Sequence, residues 1–193
     1  MRHCRFIALA ATLLCTALSA TSPALAGAVR ADVTAKLSGR YTSTGNLGTA
    51  SFDLSQQILA SFAPGTGMGQ ADLVFADRRT LAASATENLD LAGALTDPLG
   101  AALTFGHVKA IYVVARAANT NSVVVGGAAT NAFVGPLGGT TPTVTLPPGG
   151  GLLLVHPGAG WTVTAATGDL LKVLNSAAGA SVQYDVVIIG TSN

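Results

Sequence analysis

The chain has 193 residues and a mass of 19.1 kDa, with 49% hydrophobic, 5% aromatic and 10% charged residues. Ten basic against nine acidic residues give a formal charge of +1, which argues against binding a nucleic-acid backbone. Charged residues stand at less than half of the roughly 25% usual in soluble domains, which excludes a conventionally solvated surface, and abundant Val, Leu and Ile argue against disorder.

Residues 1–26 read as a cleaved export signal. Arg2 and Arg5 form a basic start, Phe6 to Leu18 an apolar run, and Ala24-Leu25-Ala26 fits the A-x-A cleavage rule. The run is too short and too rich in Ala, Ser and Thr for a membrane span of about 20 apolar residues. A lipid anchor at Cys15 is the rival, but Leu14 stands where a small residue is expected. Cleavage after Ala26 starts the mature chain at Gly27, leaves eight basic and nine acidic residues, and removes both cysteines, Cys4 and Cys15. No disulfide or thiolate metal site is then possible, and the mature form is expected in the periplasm or medium, off the membrane.

Residues 27–70 are expected to form an N-terminal arm and linker. Ala31 to Ser38 alternates Val33, Ala35 and Leu37 against Asp32, Thr34 and Lys36, the pattern of a half-buried strand, and Ser43-Thr44-Gly45-Asn46 turns the chain. Leu54, Ile58 and Leu59 fall at helical spacing, so Phe52 to Phe62 reads as a short helix stopped by Pro64 and Gly65. Pro64 to Gln70 is a flexible connector. Its GxGxG spacing is neither a dinucleotide fingerprint nor a P-loop.

Residues 71–193 are expected to form an all-β, antiparallel sandwich or jelly roll. The strands predicted are Leu73 to Ala82, Glu87 to Leu91, a long run from Leu103 to Ala117, Ser122 to Val125, Thr143 to Leu146, Leu152 to Val155, Trp161 to Thr164, Leu170 to Leu174 and Val182 to Ile189. Within the long run Val108, Ala110, Tyr112, Val114 and Arg116 share one alternating face, and Asn119-Thr120-Asn121 turns it into the next strand as a hairpin. Leu152 to Val155 is wholly apolar and is expected to be buried on both faces or in a sheet interface.

Strands this apolar, with few Lys or Glu residues guarding their edges, need cover, either from the protein itself or from an oligomer or larger assembly. Chemistry is harder to find. His107 and His156 are the only histidines after the signal; His107 reads as a sheet-surface residue, and His156, before Pro157, is the one position suited to a base. Ser84, Ser122 and Ser181 lack a G-x-S-x-G elbow. Asp72, Asp77, Glu87, Asp90 and Asp97 cluster in sequence without the aromatic platforms of a sugar cleft, and Asp77-Arg78-Arg79 reads as an ion-paired surface. No enzyme, metal site or cofactor is expected. Weak loop contacts fall to Asn119, Asn121 and Phe133, and Trp161 reads as a core or interface anchor with contact as its rival role.

The run Gly65 to Ser84 with its continuation Glu87 to Gly93, the run Asn119 to Ala128, Pro147-Pro148-Gly149-Gly150, Gly168 to Val173 and the ending Tyr184 to Gly190 resemble a family of small proteins encoded among the structural genes of tailed bacteriophages and prophages. The likeness spans about Val33 to Asn193. It implies a β-rich, virion-associated subunit on a capsid or tail and transfers no catalytic residues. The export signal departs from it, since virion parts assemble in the cytoplasm; either a host has adopted the gene or the true start lies further in, as at Val29.

Two functions follow. One is a non-enzymatic structural subunit, a homo-oligomer or part of a larger protein particle, whose arm from Gly27 to about Ala63 reaches a neighbour. The other is a secreted module whose loops at Asn119 to Asn121 and Phe133 to Pro136 bind a glycan or a cell-surface protein.

Overall fold

The structure is a computed structural model that describes residues 28–193, so the expected signal lies outside the described residues. Within them every regular element is a β-strand. Strand β1 (Ala31–Gly45) and strand β2 (Gly48–Pro64) form one long antiparallel hairpin, paired without interruption from Ala31 opposite Phe62 to Gly45 opposite Gly48. Asn46 and Leu47 make its two-residue loop, so the turn runs from Gly45 to Gly48, two residues later than the predicted Ser43 to Asn46. The helix expected over Phe52 to Phe62 is therefore a strand. Phe52, Leu54, Ile58, Ala60 and Phe62 also fit a period of two, and fifteen cross-strand pairs with β1 settle the choice.

After a two-residue strand β3 (Gln70–Ala71), parallel to β2, come β4 (Leu73–Leu81), β5 (Thr86–Asp90) and a short ladder of β6 (Leu95–Thr96) with β7 (Ala102–Leu103). Then follow β8 (His107–Ala115), β9 (Val123–Gly126), β10 (Thr143–Leu146), β11 (Gly151–Val155), β12 (Trp161–Thr162), β13 (Leu170–Asn175) and β14 (Val182–Thr191). One sheet runs β11-β8-β14-β4, with β12 also on β8; the other runs β10-β9-β13-β5, and all these pairings are antiparallel. The chain changes sheet between β4 and β5, β5 and β8, β8 and β9, β10 and β11, and again on either side of β13. The predicted hairpin at Asn119 to Asn121 is thus a crossing between sheets, because β8 and β9 do not pair with each other.

The two sheets share one core. Val182, Tyr184, Val186 and Ile188 alternate inward from β14 and meet Leu171 and Val173 of β13, Leu89 of β5, and Val123 and Val125 of β9. Leu152 to Val155 is half-buried at a sheet edge rather than enclosed; Leu152 and Leu154 face this core, and Val155 the other side. The even face predicted along β8 is broken at Lys109. Ile189 pairs with Ala110 but Gly190 with Val108, so Lys109 is the extra residue of a bulge, and Val108 joins the core while Ala110 faces outward.

The root of the hairpin sits on that outer face. Ala60 and Phe62 of β2 bury against Ala110 and Ile189, with Val33, Val74, Val155 and Val187 around them. Such burial is worth about 25 cal/mol per Å² of apolar surface and fixes the direction in which the hairpin leaves the body.

Candidate functional site

Among the described residues, no helix is long and apolar enough to cross a membrane, and no group of three His, Cys, Asp or Glu side chains is placed to hold a metal ion. The polar side chains the sequence brings forward are bonded within the fold. Asn119 forms a reciprocal pair with the Gln183 backbone, its Nδ2 donating to the carbonyl at 2.8 Å and its Oδ1 accepting from the amide at 2.9 Å. The Asn121 amide nitrogen donates to Asn175 Oδ1 and to the Ala177 and Ala180 carbonyls, each at 3.0–3.1 Å. Asn119 therefore laces the sheet-to-sheet crossing to the start of β14, and Asn121 laces it to the end of β13 and the β13–β14 turn. Phe133 is 4% exposed and packs in the shared core, which withdraws its ring from any loop contact. Trp161 is half-buried against that core, its ring edge-on to His156 at 5.4 Å. The four residues do not converge on one surface.

His156 Nδ1 accepts the Gly160 amide at 3.2 Å, so the candidate base shapes the turn before β12, and His107 Nδ1 lies 2.9 Å from the Asn193 carbonyl. The clustered acids are likewise engaged. Asp72 accepts from the Ser192 amide and hydroxyl, Asp90 from the Ala92 amide, and Asp97 from the amides of Leu99 and Ala101. Asp77-Arg78-Arg79 is ion-paired as expected, but through two separate clusters. Arg79 and Arg78 point to opposite sides of β4: Arg79 joins Asp77, Glu87 and buried Tyr184, while Arg78 and Arg116 clasp Asp185 on the outer face.

The guanidinium of Arg78, with that of Arg116 beside it, holds the Asp185 carboxyl below the usual carboxylate range. A depressed folded-state pKa gives stability that is present above the ordinary carboxylate value of about 4 and lost as the pH falls through the depressed one. Asp185→Asn should remove that component. Thermal melts from neutral pH down to about pH 2 are expected to fall less steeply for the variant than for the wild type; parallel curves would show that the pair carries no linkage.

Lys109 is 1% exposed. The bulge turns its side chain under two loops, where Nζ donates to the carbonyls of Gly67 at 3.0 Å and Gly158 at 2.7 Å, and burial pushes its pKa down. Pro64 to Gln70 is consequently tied down. Gly65 N–H donates to Ala71, Gly67 N–H to Gln70 Oε1, and the Gly67 carbonyl holds Lys109.

Among the described residues, most of the exposed large hydrophobic side chains lie on the hairpin. In an antiparallel ladder, directly paired residues share a face. One hairpin face therefore carries Ala31, Val33, Ala35, Leu37, Gly39 and Tyr41 beside Phe62, Ala60, Ile58, Gln56, Leu54 and Phe52. The opposite face is mostly Ser and Thr, with Lys36 and an Arg40–Asp53 ion pair at 2.6 Å. Only the root of the apolar face is covered; Tyr41 is 71% and Phe52 64% exposed, and Leu37, Leu54 and Ile58 are exposed with them. The signal for this face was present in the sequence as a period of two continuing beyond Ser38 on both strands. An apolar depression of about 490 Å³ lies near the root, between Val29, Val74, Pro98 and Leu103.

No family model, curated protein or solved structure matches the chain.

Proposed function

We propose that the chain is a non-enzymatic structural subunit that works in an assembly of several copies or on a larger protein particle, with a jelly roll as its body. The observation that carries this reading is the long hairpin, apolar on one face and uncovered over its outer half. A two-stranded hairpin is marginal in water on its own, so an arm of this length is a part made to be completed by a neighbour. The strand orders β11-β8-β14-β4 and β10-β9-β13-β5, with a chain that keeps crossing between them, support the jelly roll. That architecture is shared by capsid subunits and by lectins, so by itself it selects neither. The resemblance to tailed-phage virion proteins supports the particle over a glycan-binding module, and so does the internal use of Asn119 and Asn121.

The location follows from the start site: export if the chain is cut after Ala26, the virion if translation begins further in. Fractionating an induced source culture into banded particles, periplasm and medium, and measuring the mass of the protein by light scattering, tests the reading. A mass of several chains, or recovery in particles, is expected. A protein with the mass of one chain, absent from particles, would overturn it. Its N-terminal peptide, beginning at Gly27 or elsewhere, reports whether the signal is used.

A further inference from the structure

The outer face of the sheet β11-β8-β14-β4 is built in rows. Val74, Ile189, Ala110 and Val155 make the row that the hairpin root covers. The next row, Ala76, Val187, Tyr112 and Leu153, is aligned by the pairings of Val187 with both Ala76 and Tyr112 and of Leu153 with Tyr112. It is apolar on all four strands, yet Ala76 and Tyr112 are exposed and Val187 and Leu153 only half-buried. Beyond it the face turns charged at Arg78, Asp185 and Arg116.

We propose that this second row is the seat for the arm of a second copy of the chain, and that two copies exchange arms reciprocally. The inference rests on the structural-subunit reading and names its partner. Two observations support a second copy as the occupant. First, the molecule already shows the contact in miniature, since the arm's own root lays Val33, Ala60 and Phe62 on the adjoining row, and the outer arm presents the same face continued. Second, the surfaces match in chemistry. The arm face between Ala35 and Gly45 and its partners on β2 carries no charged side chain, and neither does the row at Tyr112. Each copy offers both halves, as a two-fold interface requires.

The test uses protein produced from the full reading frame. Tyr41→Thr with Phe52→Thr changes only side chains exposed on the single chain, so folding is preserved while the arm face turns polar. Tyr112→Arg does the same to the seat. Light scattering is expected to show a multimer for the wild type and one chain for either variant, with unchanged melting of the body by circular dichroism. A second measurement locates the contact. The double variant Phe52→Cys, Tyr112→Cys should give a covalent dimer with a short bis-maleimide, and each single variant should give none.

Cross-linking by Phe52→Cys alone would mean that arms pair with arms, and would overturn the seat. A multimer unaffected by both sets of substitutions would overturn arm exchange while leaving the structural-subunit reading standing. A wild type that is one chain in solution but recovered in particles would do the same. A single chain absent from particles would end both.

Discussion

Gly190→Ala is expected to cost at least about 3 kcal/mol of stability, enough to lower the melting temperature of a domain this size by about 10 °C. Gly190 lies in β14, hydrogen-bonded between β4 and β8, at the step where the register shifts past Lys109. A methyl group there would fall well inside contact distance of the His107 carbonyl and 2.7 Å from Phe105 Cδ1. The nearer obstacle is backbone in a paired strand, so it cannot rotate away as a side chain does, and β14 cannot recede without breaking a ladder on its other side. Gly39→Ala is the control. Gly39 stands on the arm with no atom within 4 Å of an added methyl, and its melting should match the wild type. Equal melting of both variants would mean that the bulge is not the fixed feature described.

The bulge also shows where sequence reading stops. Strands such as Thr143–Leu146 and Leu73–Leu81 stand within a residue of where alternation and flanking Gly or Pro placed them, because those signals act within a few residues. The sheet in which a strand lands depends on partners far away. Nothing around Asn119 to Asn121 says that β8 pairs with β14, some seventy residues on, rather than with β9. The arm was misread as part helix because Gln56 interrupts its period-two face, leaving Leu54, Ile58 and Leu59 to mimic a helical stripe. Phe133 was read as a loop residue from its neighbours Gly135 and Pro136, which describe the chain's turn and not the side chain's direction. Lys109 was illegible for a related reason: one extra residue in a ladder inverts which side chains face the core, and that insertion is defined only against β14. The exposed face of the hairpin is assembled from two strands and the row at Tyr112 from four, so each is defined only in the fold.

The polar tie between the two sheets yields the other large effect. Tyr184, fully buried on β14, donates its hydroxyl to Glu87 Oε1 on β5, and Glu87 Oε2 accepts from Arg79 at 3.1 and 2.8 Å. The cluster therefore bonds the sheet of β14 to the sheet of β5 at an edge of the core. Burial and the adjacent Glu87 carboxylate push the phenol well above its ordinary value of about 10, so it stays protonated, and Glu87 also raises the pKa of Arg79. Tyr184→Phe keeps the ring and leaves Glu87 with one donor fewer. The expected loss is about 2 kcal/mol, the usual worth of a hydrogen bond to a charged group. Because the folded-state pKa of Tyr184 is raised, its contribution is fully present below about pH 10 and declines as the unfolded chain ionises above it. The gap in melting temperature between wild type and variant should hold steady near neutrality and narrow above about pH 10. A gap absent at neutral pH would show that Arg79 alone satisfies Glu87. A gap that persists unchanged into alkali would show that the hydroxyl is not what ties the sheets.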